Sequence, residues 1–83
     1  METIVFTKGA AKDLDALPSD DRDSVIAGLT EYAIDGRGDV KALAGRDGYR
    51  LRIGPFRVIF DEDATTILAI YVGRRQTVTY KRN

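Results

Sequence analysis

Arg50, Arg52 and Arg57 fall within one run, Gly48 to Phe60, in a chain of 83 residues. A guanidinium is always charged and carries five N–H donors in a planar fork that matches phosphate oxygens two at a time. Such a group can hold an anion or stabilise charge building on a phosphate, but it does not release a proton and so serves poorly as acid or base. The chain has no cysteine and no histidine. That removes the thiolate nucleophile and the usual near-neutral acid–base group, and it argues against a zinc site. No cofactor is expected. The run admits two readings: a solvated sheet face, since antiparallel sheets often carry one polar side, or an anion site.

The positions of these arginines follow from the pattern around them. Tyr49, Leu51 and Ile53 fall on one side of an extended chain and Arg50 and Arg52 on the other, because successive strand side chains point to opposite faces. Gly54-Pro55 breaks the run as a tight turn would. Val58 and Phe60 then resume an apolar face, with Arg57 out of phase. Paired as a hairpin, the two runs turn Tyr49, Leu51, Ile53, Val58 and Phe60 toward a core and gather the three arginines on the other face. Like charges placed so close repel, so an anionic partner is a natural compensation.

The flanking segments must supply the rest of the sheet and its cover. Glu2 to Thr7 reads as a short strand. Thr7 can cap a helix carrying Ala10, Ala11, Leu14 and Leu17 at helical spacing, which Pro18 ends. Ser19 or Asp20 can cap a second helix, with Asp20, Asp21 and Asp23 at the positive end of its dipole. Its apolar stripe is Val25, Ile26, Leu29, Tyr32 and Ala33, and Gly36 stops it. The tight join predicts an antiparallel helical hairpin. Val40 to Leu43 approaches the central strands, and Gly45 to Gly48 is a turn. Asp61-Glu62-Asp63 reads as an acidic turn. Ile67 to Val72, apolar on both faces, reads as a central strand, and Thr77 to Tyr80 as a possible last one. Tyr49 and Tyr71 read as core or edge aromatics. The expected class is α+β: an N-terminal strand, a two-helix hairpin and a largely antiparallel sheet of three to four further strands in one domain, 1–83.

Thirteen basic and thirteen acidic residues cancel, but unevenly: residues 1–42 sum to −4 and residues 43–83 to +4. Such asymmetry suits a polyanion partner for the second half. No apolar run approaches the roughly 20 residues of a membrane span, and the N-terminus lacks the basic-then-apolar order of a leader, so a cytoplasmic protein is expected.

In this order, the segments resemble the RelE/ParE superfamily of toxins from type II toxin–antitoxin pairs. The resemblance covers nearly the whole chain. It lies in the Ala-x-x-x-Leu helix ahead of Leu17-Pro18 and in Lys41-Ala42-Leu43-Ala44-Gly45. Most specific are Tyr49-Arg50-Leu51-Arg52-Ile53-Gly54-x-Phe56-Arg57-Val58-Ile59-Phe60 and Val72-Gly73-Arg74-Arg75. The resemblance implies a RelE-like microbial ribonuclease fold and a ribosome-dependent mRNA endoribonuclease that inhibits translation. The alternatives it leaves open are a ParE-like toxin that inhibits DNA gyrase by protein contact, and an inert relative that binds only its antitoxin. It implies a cognate antitoxin as partner, in a hetero-oligomer, with ribosome and mRNA as target. Carried onto this chain, the catalytic set is Arg50, Arg52, Arg57, Arg75 and Tyr80, with Arg74, Lys81 and Arg82 as further RNA contacts. Tyr80 is the expected acid or base, since arginines beside it would favour its phenolate.

Overall fold

The computed structural model describes residues 1–75. The expected strand Thr77–Tyr80 and the site residues Tyr80, Lys81 and Arg82 lie outside the described residues. The order is β1 (Thr3–Phe6), α1 (Lys8–Asp15), α2 (Ser19–Asp35), β2 (Asp39–Ala42), β3 (Tyr49–Ile53), β4 (Phe56–Glu62) and β5 (Thr66–Arg74). The five strands form one sheet in the order β1-β5-β4-β3-β2. It is a mixed sheet: β1 runs parallel to β5, and the other neighbours pair antiparallel. A strand parallel to its neighbour needs a crossover, and α1, α2 and the β2–β4 meander supply it.

Local signals explain the two helices. Thr7 caps α1, its hydroxyl accepting from the Ala10 N–H at 3.1 Å. The α1 helix ends at Asp15, and Pro18, expected to end it, stands instead at the N-cap of α2 with no side-chain cap bond. Neither Ser19 nor Asp20 is the cap. Proline suits the position because its fixed φ leads into the helix and its missing N–H costs nothing there. Gly36 closes α2 in the left-handed conformation, φ 75°, donating to the Tyr32 carbonyl, a backbone state that L side chains resist.

Both helices cover one face of the sheet. Ala10 and Leu14 of α1 and Val25, Leu29 and Ala33 of α2 pack on Leu51, Phe56, Val58, Phe60, Ile67, Ala69 and Val72. Gly28 brings α2 close to β3: a Cβ there would meet Ile53 side-chain atoms at 2.8 Å. Asp61 and Glu62, expected in a turn, complete β4. Glu62 is held on the helix side because its carboxylate accepts from the Tyr32 hydroxyl at 2.6 Å. Asp63 makes the turn, its carboxylate accepting from the Thr65 and Thr66 N–H groups at 2.9 Å, and these bonds hold its carboxyl below the usual range.

Beyond the end of β1, the free edge of β5 is met by α1. Thr7 donates to the Ile70 carbonyl, and Asp13 accepts from the Val72 N–H at 3.1 Å. Two backbone groups that β1 is too short to reach are thereby satisfied.

Candidate functional site

No helix among the described residues covers the other face of the sheet, and the register assigns its residues to rows. Arg52 stands opposite Arg57, Arg57 opposite Gly73, and Asp39 opposite Arg52. One row therefore reads Gly73, Arg57, Arg52, Asp39 from β5 to β2. The adjacent row reads Tyr71, Ile59, Arg50, Lys41. The hairpin that fixes this register turns at Gly54-Pro55, where Gly54 has φ 55°. Glycine at the first central position is the preference of a type II′ turn.

The arginines on this face differ in how they are satisfied. The Arg50 Nη1 and Arg57 Nε atoms are buried and have no hydrogen-bond acceptor among the described residues. Buried donors are nearly always paired, so two guanidinium N–H groups in adjacent rows, without acceptors among the described residues, can take acceptor oxygens. Arg52 is more exposed and reaches the Asp39 carboxylate at 3.9 Å. Arg75 lies at the turn end of the sheet. Its backbone N–H donates to the Pro55 carbonyl at 2.8 Å, and its Nη1 to the Gly54 carbonyl at 3.1 Å. It is thus fastened beside the Arg52–Arg57 pair. Arg74 points to the other face, its guanidinium 5.1 Å from the Phe56 ring centroid. The opposite end of the open face is different in character. A cavity of about 330 Å³ there has Val5 and Leu68 among its walls, with Asp61 and Asp63 at its rim. Carboxylates at that end repel an anion, which leaves the arginine end to receive it.

Tyr71 belongs to this face as well, and the sequence reading did not place it there. Strict alternation from the buried Ile67 and Ala69 would send residue 71 to the core. A bulge between Ile59 and Phe60 shifts the register, so that Val72 is buried and Tyr71 is 41% exposed. Its ring lies across Gly73: a Cβ built on Gly73 would collide with the Tyr71 hydroxyl and come within 2.6 Å of Cζ and 2.9 Å of Cε2. Tyr49, by contrast, stays on the helix side, its ring 5.5 Å from that of Phe60. Among the described residues no group of His, Asp and Glu could hold a metal ion.

No protein-family model matches the chain, and no curated protein matches it by sequence. Solved structures do. The archaeal RelE–RelB complex from Pyrococcus horikoshii superposes with a TM-score of 0.76 at 22% identity, covering 93% of this chain and 98% of that one. The intact RelBE toxin–antitoxin complex from E. coli gives 0.74 at 20% identity, covering 93% and 100%. The RelBE2 toxin–antitoxin complex from Mycobacterium tuberculosis gives 0.72 at 25% identity, covering 89% and 98%. The YoeB dimer from Staphylococcus aureus gives 0.72 at 19% identity. The chain has the RelE fold, and the structures it resembles over most of its length are RelE and YoeB toxins.

Proposed function

We propose that this chain is the toxin of a type II toxin–antitoxin pair and acts as a RelE-like, ribosome-dependent mRNA endoribonuclease in the cytoplasm. The observation that carries the reading is the pair of buried donors without acceptors among the described residues, Arg50 Nη1 and Arg57 Nε, on an open sheet face of a RelE fold. In this reading Arg50 and Arg57 grip the non-bridging oxygens of the scissile phosphate. Arg52 and Arg75 add positive charge at the turn end, where it stabilises the crowded phosphorus of the transition state. Tyr80 is the acid or base that the family resemblance supplies, and Lys81 and Arg82 are flanking RNA contacts; Arg74, turned to the other face against Phe56, is dropped from that set. The whole chain, 1–83, is one toxin domain.

A small antitoxin is the partner in the same reading. Three of the similar structures are toxin–antitoxin complexes. The strands β1 and β2 are the two edges of this sheet, and an edge strand is a ready site for an added strand from a partner. Induced expression with mapping of RNA ends, beside a gyrase supercoiling assay, tests the target. The expected result is mRNA cut within translated codons, supercoiling intact, and relief of growth arrest by the antitoxin encoded alongside. Blocked supercoiling with intact mRNA would replace the nuclease by a gyrase inhibitor.

A further inference from the structure

We propose that Tyr71 is the general acid of the site, donating its phenolic proton to the 5′-oxygen that leaves when the phosphodiester is cut; this rests on the nuclease reading above. The geometry is that of a glycine opposite an arginine. The Tyr71 hydroxyl occupies the space that a side chain at position 73 would fill, and Gly73 is directly opposed to Arg57. Directly opposed Cβ positions on antiparallel strands lie about 4.5–5.5 Å apart. The phenol oxygen therefore stands beside that opposed pair, on the order of 5 Å from the root of the Arg57 side chain. Glycine is the residue that leaves this room, since any larger side chain would strike the ring.

Lys41, the other proton carrier in the row of Tyr71, stands three strands away on β2, and the remaining candidates are placed elsewhere. Asp39 is engaged with Arg52 at 3.9 Å. Asp61 lies across the bulge, at the acidic cavity. Tyr32 and Glu62 bond one another on the helix side, and Tyr49 packs with Phe60 there. Tyr71 alone among them opens onto the row of Arg57, and with 41% of its surface exposed it is accessible to a strand of RNA. The step balances without a co-reactant. The 2′-oxygen of the upstream ribose attacks phosphorus and its proton passes to water. The bond from phosphorus to the 5′-oxygen breaks, its electron pair stays on that oxygen, and the phenol proton goes to it. The products are a 2′,3′-cyclic phosphate and a 5′-hydroxyl, and the phenolate recovers a proton from solvent.

The test uses the full chain on ribosomes programmed with an mRNA cut at one codon, made with oxygen or with sulfur at the bridging 5′ position. A sulfur leaving group needs no proton. Tyr71→Phe is expected to slow the oxygen substrate about 100-fold, the low end for loss of a general acid, to bind RNA within twofold of the parent, and to cut the sulfur substrate at close to the parent rate. Gly73→Ala, which displaces the ring while keeping the phenol, should show the same leaving-group rescue, with circular dichroism reporting its fold. Unchanged cleavage by Tyr71→Phe, or an equal loss on both substrates, would overturn the proposal. Sulfur rescue of Tyr80→Phe instead would pass the role to Tyr80 and leave the nuclease reading standing. A parent chain that leaves ribosome-bound mRNA intact would remove the nuclease reading and this proposal together.

Discussion

The two faces of the sheet are made by the same strands and have opposite economies. On the covered face Leu51, Phe56, Val58, Phe60, Ile67 and Ala69 are at most 1% exposed, and no polar or charged residue is buried among the described ones. On the open face two buried arginine nitrogens lack acceptors among the described residues. Alternation along β3 and β4 sends every second residue to each face, so apolar burial that stabilises the domain and the arginine charge are interleaved yet separable. Substitutions on one face should move stability and leave chemistry to the fold, while those on the other should do the reverse.

The largest expected effect on stability comes from the covered face. Phe60→Ala should cost about 3–5 kcal/mol in a denaturant titration, a large part of the roughly 4–12 kcal/mol expected for a domain of this size. A Phe60→Ala protein as stable as the parent would break the comparison. Tyr32→Phe, at the rim of the same face, should cost about 1.5 kcal/mol by leaving Glu62 without its donor. It should also alter the alkaline limb. Desolvation, then the hydrogen bond to Glu62 and its charge, push the Tyr32 hydroxyl well above the usual phenol range. The folded state therefore holds this proton more tightly than the unfolded one. Its contribution is fully present below about pH 10, the ordinary phenol value, and is lost as pH rises above that. Urea melts at neutral and alkaline pH should differ less in Tyr32→Phe than in the parent.

On the open face, Arg57→Ala should change stability by only about 0.5 kcal/mol while abolishing growth arrest. If the ligand is single-stranded RNA, the slope of log affinity against log salt should flatten by about 0.7 for the lost phosphate contact. An Arg57→Ala protein that unfolds rather than losing toxicity would show that this arginine belongs to the core after all. The smallest effect is expected of Asp39→Asn. The Arg52–Asp39 pair is exposed on both sides, and such pairs contribute roughly 0–1 kcal/mol. Freed of its carboxylate, Arg52 should bind RNA slightly more tightly in a filter assay at low salt.

What the sequence made legible is what depends on near neighbours. The hairpin from Tyr49 to Phe60, its turn at Gly54-Pro55, the stop at Gly36 and the shared face of Arg50, Arg52 and Arg57 all follow from alternation and turn chemistry. Alternation assigns faces but not neighbours, and so it is silent on the parallel pairing of β1 with β5. Asp61 and Glu62 looked like a turn because acids favour turns; the partner that keeps Glu62 in a strand, Tyr32, is 30 residues away. Tyr71 was hidden by one bulge. The inserted residue reverses the phase of β5, and no local pattern in Ile67 to Val72 announces it.

The pairing of β1 with β5 also governs when the protein becomes itself. Residues 3–6 are made well before their strand partner, residues 66–69, and β5, an interior strand of the sheet, is thus the last of the described strands to be made. Contacts that span so much sequence close slowly, because chain entropy must be surrendered before they form. The same late segment carries Tyr71 and Gly73 and supplies the surface on which α1 rests. A nascent chain halted before β5 has neither a finished core nor a finished open face, so whatever the open face does must wait for β5.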